Sequence, residues 1–115
     1  MTAPSPRHDA LMDVLPEPLL LLDLQGRLQT VNRAALRLLG WAAPPAAGTP
    51  LADLCAEAAP GALETLLRQG ARCAQFSPAR LPLRGADAAA TTMRCEIARV
   101  PGADGAPPAL LLRLQ

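Results

Sequence analysis

The chain has 115 residues, with 11 Arg, no Lys, 10 acidic residues and a formal net charge of +1. That length suits one domain with one core, and the singly scattered arginines provide no electrostatic footprint for nucleic acid or anionic lipid and no phosphate-binding cluster. With one Trp, one Phe and no Tyr, the core must be built from Leu, Ala, Val and Met, a composition that disfavours a tightly stacked planar cofactor.

Residues 1–8, with Pro4 and Pro6 among small polar side chains, are expected to form a disordered N-terminal segment. They lack the charged and apolar regions of a signal peptide. Residues 9–115 form a single domain. Asp9 caps a short helix whose Leu11, Val14 and Leu15 share a face before Pro16 ends it. So short a helix is marginal alone and needs a surface to lie on, either its own sheet or a second subunit.

Leu19 to Asp23 is too short for a buried helix and is bounded by Pro16, Pro18 and Gly26; it reads as a strand covered on both faces. Arg27 to Val31 is its hairpin partner. Asp23 is placed to bond backbone N–H groups two residues on, and Gly26 to supply the left-handed residue of a type I turn with a bulge. Asn32 caps a helix over Arg33 to Leu39, with Val31 packing on Leu36 as a hydrophobic staple. Leu36 and Leu39 face the sheet, and Gly40 supplies the left-handed C-terminal residue.

Trp41 to Gly48 is an Ala/Pro connection. Thr49-Pro50 starts a second helix with Leu51, Leu54 and Cys55 on one side, and a third begins near Pro60, presents Leu63, Leu66 and Leu67, and is expected to stop at Gly70. Glu64 and Arg68 form an i,i+4 pair on it. Cys73 to Arg84 and Ala90 to Val100 read as long antiparallel strands joined through Gly85 to Ala89. In the second, Thr91, Met93, Cys95 and Ile97 alternate with Thr92, Arg94, Glu96 and Ala98, the period of a half-buried strand. Pro101 to Pro108 turns the chain into a last strand, Ala109 to Leu114, with Leu110, Leu112 and Leu114 opposite Arg113. The resulting class is α+β, with a five-stranded antiparallel sheet, short helices between strands two and three, and an N-terminal helix.

Chemistry-bearing residues are few. Cys55, Cys73 and Cys95 are an odd set without Cys-x-x-Cys spacing or partner histidines, so a disulfide framework or metal site is not expected. If Arg84 pairs with Ala90, Cys95 lies opposite Ala79 and Cys73 lies at the hairpin's open end, too far for a disulfide; a redox pair would have to form between subunits. The default for all three is a small apolar residue. Asp23 and Glu96 are the tempting acid/base pair, but Asp23 has a turn to make and Glu96 lies on an outer face. No nucleophile set or Gly-rich phosphate loop accompanies them, so no catalytic residue is assigned. No apolar run approaches the about 20 residues of a spanning helix, so no direct membrane contact and a cytoplasmic location are expected.

The run from Asp23 through Gly26 to Asn32, an Asp-x-x-Gly hairpin turn followed by Asn at a helix entrance, resembles the start of a PAS domain, a bacterial sensory module. The order of elements is similar from Asp9 to Gln115. The resemblance implies a sensor or relay within a histidine kinase, a cyclic-dinucleotide enzyme or a transcriptional regulator, with an output domain on the same polypeptide. The chain ends at the last strand, before the helical linker such domains use, as a fragment of a larger protein would. Haem-binding members take a ligating His from a helix between the second and third strands; here the single His8 precedes the domain, so His-ligated haem is not expected. Flavin photoreceptors place their Cys in an Asn-Cys-Arg-like context, whereas Cys55 sits in Asp53-Leu54-Cys55-Ala56, so photoreactive flavin is not expected either. In similar domains a small apolar ligand lies between sheet and helices, a space that Leu28, Leu36, Leu39, Leu54, Leu63, Leu67, Met93, Cys95, Leu110 and Leu112 would line here. The alternative to that cavity is that the same ten residues simply form the core with no hole, since short side chains such as Ala pack a small core completely. Leu11, Met12, Val14 and Leu15 would meet a second copy in a homodimer. A ligand-free dimerisation or scaffold module and a small enzyme on a curved sheet are the alternatives.

Overall fold

Two apolar runs interrupted by Asp23 and Gly26 fold back on one another. In a computed structural model of the protein, β1 (Leu19–Leu22) pairs antiparallel with β2 (Leu28–Val31). The structure describes residues 12–55, 60–84, 90–102 and 105–115. The expected disordered segment 1–8 with His8, the helix start at Asp9 with Leu11, and the loop 85–89 lie outside the described residues.

The turn is made by the residues expected to make it. One Asp23 carboxylate oxygen accepts from Gln25 N–H at 2.9 Å and Arg27 N–H at 2.8 Å. Gly26 has φ +84°, and a Cβ there would lie 2.7 Å from Leu67 Cδ1, so this glycine meets both a backbone need and a packing need. Asn32 then opens α1 (Arg33–Leu39), and Gly40 closes it at φ 72° with its N–H turned back to Leu36 and Arg37 carbonyls.

After the connection, a 3-10 turn (Leu51–Leu54) buries Leu51. The segment before it runs along the outer edge of β2: Leu28 N–H donates to Thr49 O at 2.8 Å, Gly48 N–H to Leu28 O at 2.7 Å and Leu51 N–H to Gly26 O at 2.8 Å. These bonds occupy an edge that would otherwise invite another chain. Cys55 lies beyond this turn in extended conformation, bridged to Leu83, rather than on a helix.

Helix α2 (Pro60–Arg72) corrects one expectation. Gly70 does not end it. The helix continues to Arg72 because Gly70 is a contact residue: a Cβ there would stand 2.7 Å from Ile97 Cδ1 and 2.8 Å from its Cγ1. The missing side chain lets α2 press onto the sheet. Consequently β3 is shorter than expected, Ser77–Arg84 rather than starting at Cys73. Cys73 instead follows the helix, its carbonyl accepting from Arg99 N–H at 2.7 Å. Glu64 and Arg68 are not among the ion pairs of the described residues.

Strands β4 (Ala90–Val100) and β5 (Ala109–Leu114) have the expected bounds, and Ala79 faces Cys95 as the hairpin count required. All neighbours are antiparallel in the order β2-β1-β5-β4-β3. The chain is thus α+β with helices on one sheet face. That face carries Leu20, Leu22, Leu28, Leu81, Leu83, Met93, Cys95, Ile97, Leu110, Leu112 and Leu114 against Ala35, Leu39, Leu51 and Leu66. Each fully buried Leu contributes about 1.5–3 kcal/mol.

Asn32 is the buried polar residue at the junction of these elements, with no exposed surface. Its Oδ1 accepts from Leu19 N–H at 2.9 Å and Ala35 N–H at 3.0 Å, and its Nδ2 donates to Met12 O at 2.9 Å and Glu17 O at 2.7 Å. Asn32→Ala strands several buried backbone groups at once and is expected to cost on the order of 3 kcal/mol in urea unfolding, against about 1 kcal/mol for Asp23→Ala at the wetter turn. Gly70→Ala is expected to lose about 1–2 kcal/mol despite the better helix propensity of Ala. Adding Ile97→Val, which removes the crowding Cδ1, recovers part of that loss; a Gly70→Ala protein more stable than its parent would rule out the tight approach.

Candidate functional site

The ten residues expected to surround a ligand do converge. Leu28, Leu39, Met93, Cys95, Leu110 and Leu112 belong to one buried cluster, and Leu36, Leu54, Leu63 and Leu67 pack against it from the helical side. Their positions follow from period two on the strands and from i, i+3, i+4 spacing on the helices. Sheet and helices meet through aliphatic surface.

Two thiols lie in this interior. Burial pushes the Cys95 thiol from its ordinary 9.0 up to about 11, and the nearby Cys55 and Glu96 add to the shift. Burial raises Cys55 too, opposed by the Arg84 charge. Both are protonated and unreactive at neutral pH, since the thiolate is the nucleophile. The three cysteines are free.

The opposite face of the sheet carries Leu19, Leu21, Leu111 and Ala98 beside charged residues, and with them a network that the sequence reading missed. Glu96 faces Arg113 across the β4–β5 pair. Arg113 Nη2 lies 2.5 Å and Nε 3.1 Å from Glu96 Oε1, and Nη1 donates to Glu17 Oε2 at 3.0 Å. Gln115 Nε2 donates to the same Glu96 oxygen at 2.8 Å. The guanidinium stacks over Phe76, 4.2 Å from the ring centroid. The hydrogen bond to Glu96 is the leading cause that holds the Arg113 proton more firmly than usual. Counting back from Ala109 along β5 would have found the Glu96–Arg113 pair; Glu17 has no such signal, because its contact spans nearly the whole chain.

Met12, Val14 and Leu15 separate. Residues 12–14 are helical, but Met12 is buried within its own protomer, so it is not available to a partner as expected. Val14 is 74% exposed, and Leu15 and Leu38 are also exposed. Asp13 is drawn onto α1, accepting from Arg33 N–H at 3.0 Å. Asp23 and Glu96 serve a turn and an ion pair respectively and do not form an acid/base pair. Among the described residues no group of His, Cys, Asp and Glu is placed to hold a metal, and no helix is long and apolar enough to cross a membrane.

Two surface depressions are open to solvent. One, about 360 Å³, is lined by Trp41, Ala42, Ala43, Pro45, Asp53, Leu54 and Arg84. Trp41 is half-buried there against the core, its indole N–H donating to Arg84 O at 3.1 Å. The other, about 500 Å³, lies over β3 and β4 on the outer face and is lined by Pro78, Ala79, Arg80, Arg94, Cys95, Glu96 and Gln115.

These features agree with the comparisons. Residues 7–94 match the family model described as the PAS fold. A PAS domain of an HTR-like protein from Haloarcula marismortui superposes with a TM-score of 0.74 at 17% identity, covering 96% of this chain and 95% of that one. The LOV domain of a blue-light activated histidine kinase from Erythrobacter litoralis gives 0.65 at 19%, covering 88% and 95%. The Rhodobacter sphaeroides LOV protein gives 0.73 at 18%, with 93% of this chain covered; the chain spans 63% of that protein's length. At these identities the likeness is one of fold. A search of curated proteins found no match.

The thiols supply a prediction for this site. Above pH 9 the unfolded chain releases the Cys95 proton, while the folded chain holds it to about 11. The unfolded state therefore binds fewer protons in that window, and stability falls as pH rises through it. Urea midpoints measured between pH 8 and about 11 are expected to decline, and the Cys95→Ala protein to decline less steeply. At pH 8 a maleimide should label Cys73 first and the two buried thiols only on unfolding; fast labelling of Cys95 would contradict its burial.

Proposed function

The chain belongs to the PAS fold family, and on that premise we propose that it is a cytoplasmic sensor or relay module of a bacterial signalling protein, a histidine kinase, a cyclic-dinucleotide enzyme or a transcriptional regulator, and that it catalyses no reaction. The observation that supports a relay is the double use of β4 and β5. Cys95, Ile97, Leu110, Leu112 and Leu114 of these strands look into the apolar interior. Between them Glu96 and Arg113 look outward and engage Glu17 before β1 and Gln115 after β5. The segment before β1 and the residue after β5 are thus attached to strands whose other face touches the helices.

A small apolar ligand among the ten interior residues, or a partner on the helical side, would change the tilt of those strands and with it the outer-face joint. A differential affinity of a few kcal/mol suffices to move such a two-state population. The second copy in a homodimer would contact the exposed Val14 and Leu15 beside this face. An output domain on the same polypeptide would read the arrangement. Flavin photochemistry does not fit the residues present: Cys55 lacks the Asn-Cys-Arg-like context, and its thiol is held protonated by burial. The absence of His between Asp9 and Gln115 likewise argues against a His-ligated haem. A ligand-free dimerisation module is the second reading, favoured by the close approach of Gly70 to Ile97, which leaves little space between helix and sheet there.

Native mass spectrometry of the purified chain, with an absorption scan and Trp41 fluorescence, tests both readings. A sensor retains a small mass whose removal changes the emission of Trp41, the single tryptophan, half-buried against the core. A relay dimer gives a doubled mass that Val14→Glu with Leu15→Glu returns to that of one chain. A bare monomer at every concentration would defeat the proposal.

A further inference from the structure

Like charges stand directly opposite one another on the outer sheet face. Arg80 of β3 is the cross-strand partner of Arg94 of β4, and both side chains are exposed. Directly opposed residues bring their Cβ atoms within about 5 Å, and like charges in that arrangement destabilise a sheet. The carboxylate nearest to them on the strand, Glu96, accepts from two Arg113 nitrogens and Gln115 Nε2 at its Oε1. The ion pairs of the described residues engage Arg33 and Arg113 only. Among the described residues, therefore, no ion pair engages either guanidinium of this opposed pair, ten donors between them.

They flank the 500 Å³ depression, whose other lining residues are Pro78, Ala79, Cys95, Glu96 and Gln115. We propose that this depression is a docking site for an acidic, carboxylate-bearing segment of a partner protein, one of whose carboxylates sits between Arg80 and Arg94. Two guanidinium forks on directly opposed residues can share one planar carboxylate, the group that arginine recognises most selectively. Pro78 gives an apolar wall for the segment's aliphatic atoms, and Gln115 offers an amide that both donates and accepts. A nucleic acid or an anionic membrane is the poorer occupant. Both need many phosphate contacts, whereas the chain has a net charge of +1 and Glu96 stands at the rim.

Within the relay reading, on which this proposal rests, the site gives the outer face an addressee. Glu96 belongs both to the depression and to the Arg113 joint, so a segment bound at Arg80 and Arg94 abuts the joint that fastens the stretch before β1 and the residue after β5. Docking and the state of the joint are thereby coupled, and each biases the other by the same factor.

The test is an NMR titration of the isotope-labelled chain with a capped peptide of about eight residues carrying Glu at alternate positions, a strand-like spacing, and separately with its Gln counterpart. The acidic peptide is expected to shift the Arg80 and Arg94 signals saturably, more weakly as salt is added, and the Gln peptide to leave them in place. In the double variant R80Q/R94Q the affinity falls by about tenfold or more, while the melting temperature stays level or rises because a repulsive pair is gone. Equal response to both peptides, no response, or unaltered affinity in the double variant would overturn the site. So would a lower melting temperature, which would make the arginines structural, and so would tighter saturation by a DNA duplex or by phosphatidylserine vesicles. The titration reads the outer face alone, so its failure leaves the retained-mass and solution-mass measurements of the relay reading standing, and failure of those leaves the titration interpretable.

Discussion

A single buried side-chain amide decides how the pieces of this chain can meet. Asn32 receives two backbone N–H groups, one from β1 and one from α1, and gives its two N–H groups to carbonyls of the segment ahead of β1. Its own backbone adds bonds to Leu19 and Leu36. A carboxylate would offer no donors, an aliphatic side chain would offer nothing, and a longer amide would not cap the helix at this distance. The residue commonly read as a helix cap is thus also the fastening between N-terminal segment, first strand and first helix. In a low-dielectric site such a fully satisfied set is stiff, because each bond lost leaves a buried group without water.

The joint at Arg113 is of a different kind. It links Glu17, Glu96 and Gln115 over Phe76, but it lies at the surface, where water and salt compete for every partner. The two connections therefore divide the labour of holding the N-terminal segment. Asn32 keeps it attached to the fold under all conditions in which the fold exists, and Arg113 sets its orientation against the last strands at low energetic cost. Within the proposed relay, the Arg113 joint would be the one to yield, since interior events of modest energy could not break bonds of the Asn32 type.

Much of this was legible in one dimension because the signals were local. Asp23, Gly26 and Gly40, and Asn32 in its capping bond to Ala35 N–H, act on backbone within a few residues of themselves, so these roles could be read from spacing, and the alternation from Met93 to Ile97 named the inner face of β4. The ten interior residues converged because their faces were each set by period. Gly70 was misread for the opposite reason. A glycine near a helix end serves either a left-handed cap or a close approach, and the second depends on Ile97, far away in sequence. That error displaced the start of β3 from Ser77 to Cys73. Met12 was assigned to a partner because an apolar residue on a short helix has no local sign telling its own core from another's. Glu17 was passed over because its partner is at the other end of the chain.

The near absence of aromatic residues bears on the mechanism. Aliphatic side chains pack by shape and bury no polar atoms, so a Leu-rich interior can be rearranged by rotamer changes that leave no hydrogen bond unmade. Against this, Gly70 holds α2 hard on Ile97, and overpacking at that contact is resisted. Rearrangement is then easier on the side of α1 and the 3-10 turn, where Leu36, Trp41 and Leu54 are only partly buried, than beneath the C-terminal end of α2. Asn32 bonds to both β1 and α1, so a change entering on that softer side would reach β1 through this residue. The order of the sheet, β2-β1-β5-β4-β3, puts β5 next to β1, so the strand that bears Arg113 is the one that would receive it from β1.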